Sequence, residues 1–194
     1  MRESSGQIVR QPRARRATMA TLAAAALALA GCGGGDASGN PFGMTAPCPR
    51  VGIIADAADL SRYAGGSQDL SALVLDARIA GFSARCDYAS RGGGLNVELT
   101  VTLDIERGPA AQSRNAEVTY LVAVVDTNGE TILQRQAFPV RVTFPSNVTR
   151  VRDDGEKLTI RMPGNTSASA ARQVLIGLQL TEAELALNRR RGAR

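Results

Sequence analysis

The chain has 194 residues, 23 basic and 18 acidic side chains, and no histidine. Without imidazole the usual serine triad, the cysteine-histidine dyad and histidine metal sites are all excluded. Tryptophan is absent and aromatics make up 4% of the chain, so platforms for stacking sugars or bases are scarce.

Residues 17–30 are uncharged and apolar, rich in alanine and leucine, and follow Arg10, Arg13, Arg15 and Arg16. A basic lead before a short apolar run is the layout of a signal peptide. The run would form about 21 Å of helix, short of the roughly 30 Å hydrocarbon core, so residues 1–31 are expected to be a cleaved leader and not a span.

The run ends in Leu29-Ala30-Gly31-Cys32, which resembles the lipobox of bacterial lipoproteins. The resemblance implies cleavage just before Cys32, a diacylglyceryl thioether on its sulfur and an acylated amino terminus. Several acyl chains anchor stably where a single one binds only marginally. Ala28-Leu29-Ala30 also meets the small-residue rule of ordinary secretion, which is the competing reading. Cysteine arithmetic favours the lipid. With Cys32 acylated, Cys48 and Cys86 form an even pair, for which a disulfide is expected in an oxidising compartment; otherwise one thiol is orphaned.

Removing residues 1–31 takes away five arginines and one glutamate, leaving 18 basic and 17 acidic side chains, a net charge of +1. Four of those arginines fall in the last six positions, so residues 32–188 carry 14 basic and 17 acidic groups, a net of −3. The basic balance of the whole chain therefore gives no support for nucleic acid binding. Residues 32–46 are rich in glycine and small polar residues and read as a flexible, lipidated linker. In lipoprotein families an aspartate after the cysteine is associated with inner-membrane retention; Gly33 stands there instead, which favours the outer membrane.

Residues 47–191 read as one domain whose dominant period is two. Leu95, Val97, Leu99, Val101, Leu103 and Ile105 alternate with polar residues, the pattern of a strand with one face on a core and one in water. A short strand begins at Val51. A long one covers Leu73 to Tyr88, and its apolar phase slips at Gly81, as at a bulge. Val118 to Val125, apolar on both faces, is predicted to lie centrally and to end in a hairpin at Asn128-Gly129. Ile132, Leu133 and Phe138 start the return strand, with a bend or a sheet edge at Pro139. Asp153-Asp154-Gly155 reads as a turn before Leu158, Ile160 and Met162, and Val174 to Leu180 form the last strand. Together these predict an all-β, antiparallel β-sandwich, with an immunoglobulin-like Greek key as the leading topology. A short helix is expected at the end, with Thr181 and Glu184 as a capping box. Arg189, Arg190 and Arg191 lie at its negative pole, which favours cations; a contact with anionic lipid headgroups is the second reading of this cluster, and residues 192–194 are a tail.

No catalytic motif accompanies these elements. Ser61 and Lys157 stand in no nucleophile pattern, Gly92-Gly93-Gly94 precedes a strand and reads as a turn, and no cofactor is expected. Asp126, Asn128 and Glu130, and Asp153, Asp154 and Glu156, offer oxygens without the spacing of a calcium loop, and Cys48 with Cys86 cannot complete a soft-metal site, so no metal is expected. The expected function is that of a non-catalytic lipoprotein, held on a membrane by its lipid and facing the periplasm, whose sandwich binds another envelope protein. A small-ligand carrier is the alternative, and an enzyme using carboxylates alone is third.

Overall fold

The structure is a computed structural model that describes residues 46–89 and 93–192. The chain divides into two units, Met1–Gly39 and Asn40–Arg194, and every described residue belongs to the second. The predicted leader, the lipobox, Cys32 and the linker up to residue 45 therefore lie outside the described residues.

The strand with the clearest alternation organises the first sheet. In β4 (Leu95–Arg107) all six apolar side chains of the pattern are 0% exposed, and the intervening polar ones point away from the core. β3 (Leu73–Tyr88) pairs antiparallel along its length, and the register slips between Ile79 and Gly81 where the apolar phase changes. β2 (Asp59–Tyr63) covers only the first half of β3. On the other side of β4 run β7 (Arg150–Asp154) and β8 (Leu158–Met162), which pair with successive stretches of it. The turn expected at Asp153-Asp154-Gly155 is not a reversal: Asp153 and Asp154 pair with Leu103 and Thr102, and the Gly155 amide donates to the Val101 carbonyl at 3.0 Å. The chain slips register there and continues along the same edge, because β4 offers backbone partners on both sides of the slip.

The second sheet has the order β1-β9-β5-β6, with β1 (Arg50–Ile53), β9 (Gln173–Leu178), β5 (Asn115–Val125) and β6 (Ile132–Thr143). β5 is central as predicted, and β6 forms an edge. Their hairpin is closed by the Asp126 amide donating to the Thr131 carbonyl at 3.0 Å, and Gly129 takes a φ of +78° while Asn128 does not go positive. All pairs in the two sheets are antiparallel except β1 with β9, which is parallel. These two strands come from opposite ends of the domain, so no hairpin dictates their direction. The all-β sandwich and its terminal helix are those expected. The finer immunoglobulin-like connection is not established by this order, in which β2-β3-β4 is a plain meander.

Facing side chains of both sheets, among them Leu60, Leu99, Val122 and Ile176, form one core with the fully buried Phe144 just past β6. A short helix not anticipated from sequence, α1 (Thr166–Ala170), starts where the Asn165 side chain accepts from the Ser167 amide at 2.8 Å. The terminal helix α2 (Glu182–Arg191) carries the predicted capping box: the Glu184 amide donates to Thr181 Oγ1 at 3.2 Å, and the Thr181 amide to Glu184 Oε2 at 2.7 Å.

Candidate functional site

A two-layer sandwich has two flanks where the sheet edges leave the core open, and this domain treats them differently. On the flank of β2, α2 packs down through buried Leu187. The Asn188 side-chain amide donates to the carbonyls of Asp56 and Asp59 at 2.9 and 2.7 Å, and Glu184 pairs with Arg62 at 3.0 Å. Cys48, just before β1, is joined to Cys86 on the half of β3 that β2 leaves uncovered, with their Cα atoms 5.5 Å apart. Helix and disulfide close that side.

The opposite flank lies between β6 and β8, and among the described residues no helix packs along it. Among the described residues a side-chain bond spans it, from Gln134 Nε2 to the Arg161 carbonyl at 3.3 Å. Between these strands lies a cleft of about 430 Å³. Its floor is apolar, from Val122, Val124, Phe138, Leu158 and Ile160. Its rim carries Arg135, Lys157 and Arg161 with uncharged Gln134, Gln136 and Thr159, and no carboxylate lines it. Lys157 pairs with Glu98 at 3.1 Å, while Arg135 and Arg161 make no side-chain ion pair among the described residues. Just beyond the cleft at the start of β6, Ile132 and Leu133 are 58% and 45% exposed.

The backbone of β6 is also open along this flank. The Gln179 amide donates to the Thr119 carbonyl at 2.8 Å, so Thr119 turns its peptide groups toward β9. Its opposite residue on β6 is Pro139, which therefore points its backbone away from β5, where a missing N–H costs the ladder nothing. Two and four residues back, Ala137 and Arg135 present an amide and a carbonyl to the same outer side.

A second cleft, of about 580 Å³, lies on the outer face of the first sheet. Cross-strand register builds it in two rows. Asp59, Arg78, Asp104 and Arg152 stand opposite one another across β2, β3, β4 and β7 in alternating charge. Ser61, Asp76, Glu106 and Arg150 form the next row. Arg78 reaches Asp59, which is 5% exposed, at 3.1 Å; Arg152 holds both oxygens of Asp104 at 2.7 and 2.8 Å; and Arg150 bonds Glu106. The Arg152 hydrogen bond holds the Asp104 carboxyl below its ordinary range, and hydrogen bonds to Glu106 and Asp104 raise Arg150 and Arg152. Three arginines and three carboxylates line this cleft, so it neutralises itself.

The residues singled out from sequence divide as follows. Arg189 pairs with Asp56 at 3.1 Å, and Arg191 donates to the Tyr63 hydroxyl at 2.7 Å and Ser61 Oγ at 3.4 Å, so both are turned onto the fold. Arg190 is exposed. Ser61, 3% exposed, donates to Asp76 Oδ2 at 2.7 Å. Asp126 accepts from the Glu130 and Thr131 amides at 2.9 and 3.2 Å, which lowers its pKa and commits it to its own turn. Asp154 accepts from Thr102 Oγ1 at 2.8 Å. Among the described residues no three metal-ligating side chains gather, and no helix is long and apolar enough to cross a membrane. The seam between β6 and β8 was not anticipated, and its only signals in sequence are the loss of alternation over 132–137 and the proline that marks an edge.

Fold and site thus define a disulfide-linked β-sandwich with one flank closed by a helix and one open. The chain matches no protein-family model, no curated protein and no solved structure.

Proposed function

We propose that this chain is a lipid-anchored envelope lipoprotein whose sandwich is a non-catalytic module for binding another protein at the periplasmic side, with the outer membrane favoured over the inner. The observation that carries the anchor is the joining of Cys48 to Cys86, which leaves Cys32 of Leu29-Ala30-Gly31-Cys32 as the one cysteine available for acylation. A disulfide also suits the oxidising compartment that a lipobox implies. The open flank supports the binding role, since an uncovered sheet edge beside apolar surface is what a partner strand or loop can use.

Metabolic labelling with an alkyne fatty acid tests the anchor. The full-length protein takes up label and the Cys32→Ser variant does not; label on the variant, or none on the wild type, overturns it. Crosslinked, detergent-solubilised envelopes test the binding role, with a stoichiometric partner expected from tagged wild type and depleted for Cys32→Ser. The apolar floor of the seam also supports a second reading, a small-ligand carrier, which native mass spectrometry of the envelope-extracted protein would reveal as a bound mass.

A further inference from the structure

We propose that the seam between β6 and β8 is the docking site for an extended acidic segment of a partner protein, which adds as a strand to the edge of β6. The inference rests on the protein-binding reading above and names the partner's chemistry. Three features converge on one flank. The backbone groups of Arg135 and Ala137 face outward and supply the main-chain ladder of an added strand. Phe138, Leu158 and Ile160 lie half-buried beside that edge and receive every second side chain of a strand, which must then be apolar there. Arg135, on the outer face of β6, meets the side chains in between, which must then be acidic, and Arg161 adds positive charge to the rim from β8, where no carboxylate lines the cleft.

The same geometry argues against other occupants. A second copy would bring one cationic rim against another, a like-charge arrangement that opposes pairing. The chain's own residues 33–45 contain one acid, Asp36, and the last residues are basic. An anionic lipid would satisfy the rim but make no use of the outward amides. Pro139 adds a boundary: it lacks the outward N–H that Arg135 and Ala137 possess, so the ladder stops there and the register of the added strand is set toward the hairpin end of β6.

The test uses full-length protein in detergent and two labelled synthetic peptides, one alternating valine with glutamate and one alternating valine with lysine. The glutamate peptide is expected to bind and to slow hydrogen exchange at the Arg135 and Ala137 amides, and the lysine peptide is not. The Arg135→Glu/Arg161→Glu variant changes two exposed side chains, so its melting temperature should be retained while glutamate-peptide affinity falls about tenfold. Equal binding of both peptides, binding of neither, protection of other strands, displacement by phosphatidylglycerol added as mixed micelles, or self-association that protects β6 would each overturn the proposal. Co-purification separates the two levels: a partner that still co-purifies with the double variant overturns the acidic-strand assignment and leaves the binding module standing, whereas no partner from wild type overturns the module itself.

Discussion

Arg191 places its guanidinium 5.7 Å from the centre of the Tyr63 ring and donates to the ring's hydroxyl at 2.7 Å. The last turn of α2 is thereby joined to the end of β2, and with Asn188 it closes one flank of the sandwich. The side chain of Arg190, one residue earlier, makes no hydrogen bond or ion pair among the described residues.

Stability should follow that division. Asn188→Ala removes the donor for two carbonyls, those of Asp56 and Asp59, and is expected to cost about 1–3 kcal/mol in urea unfolding. Arg190→Ala should stay within about 0.5 kcal/mol of wild type. Equal losses in the two variants would mean that α2 is not held as described.

The Cys48–Cys86 link closes a loop with a sequence separation of 38. Restricting the unfolded chain by that much is worth about 4 kcal/mol in the chain-entropy model. The Cys48→Ser/Cys86→Ser variant should lose about that much stability relative to oxidised wild type. Trapping alkylation of the protein as it is taken from cells, read by intact mass, should find neither thiol free.

Asp104 supplies a pH dependence of known sign. Its carboxyl titrates below the ordinary 3.8 when folded, because Arg152 bonds both of its oxygens. Its folded value lies below the unfolded one, so its contribution is present above about pH 4 and is lost as the pH falls through the folded value. Urea midpoints taken on acidification should fall less steeply for Asp104→Asn than for wild type. An identical slope would remove Asp104 as a source of the acid loss.

Gly94, at the start of β4, has a φ of +92°, and a Cβ there would sit 2.0 Å from the Met162 carbonyl oxygen. Gly66, with a φ of +74°, has nothing within 4 Å of the same atom. Gly66→Ala should therefore cost only the conformational strain, about 1 kcal/mol, while Gly94→Ala must also push β8 away from β4 and cost about 2 kcal/mol or more. Thermal melts of the pair distinguish backbone strain from close approach.

Sequence by itself determined the elements whose information is local. Period-two alternation from Leu95 to Ile105 specifies a half-buried strand because successive strand side chains face opposite sides, and Thr181 with Glu184 specifies a helix start because the bonds of the capping box span three residues. The phase slip at Gly81 likewise marks its own bulge. β2 was not legible: Asp-Leu-Ser-Arg-Tyr has one fully buried apolar side chain, Leu60, and becomes a strand only when β3 offers a partner backbone. Asp153 and Asp154 look like a turn until β4 holds them in register. The seam is the least local feature of all, since Gln134 and Arg161 stand 27 positions apart and meet only because the two sheets face one another with β6 and β8 on the same flank. Which flank α2 closes, and which stays open, is decided by how the sheets stack and not by any short stretch of residues.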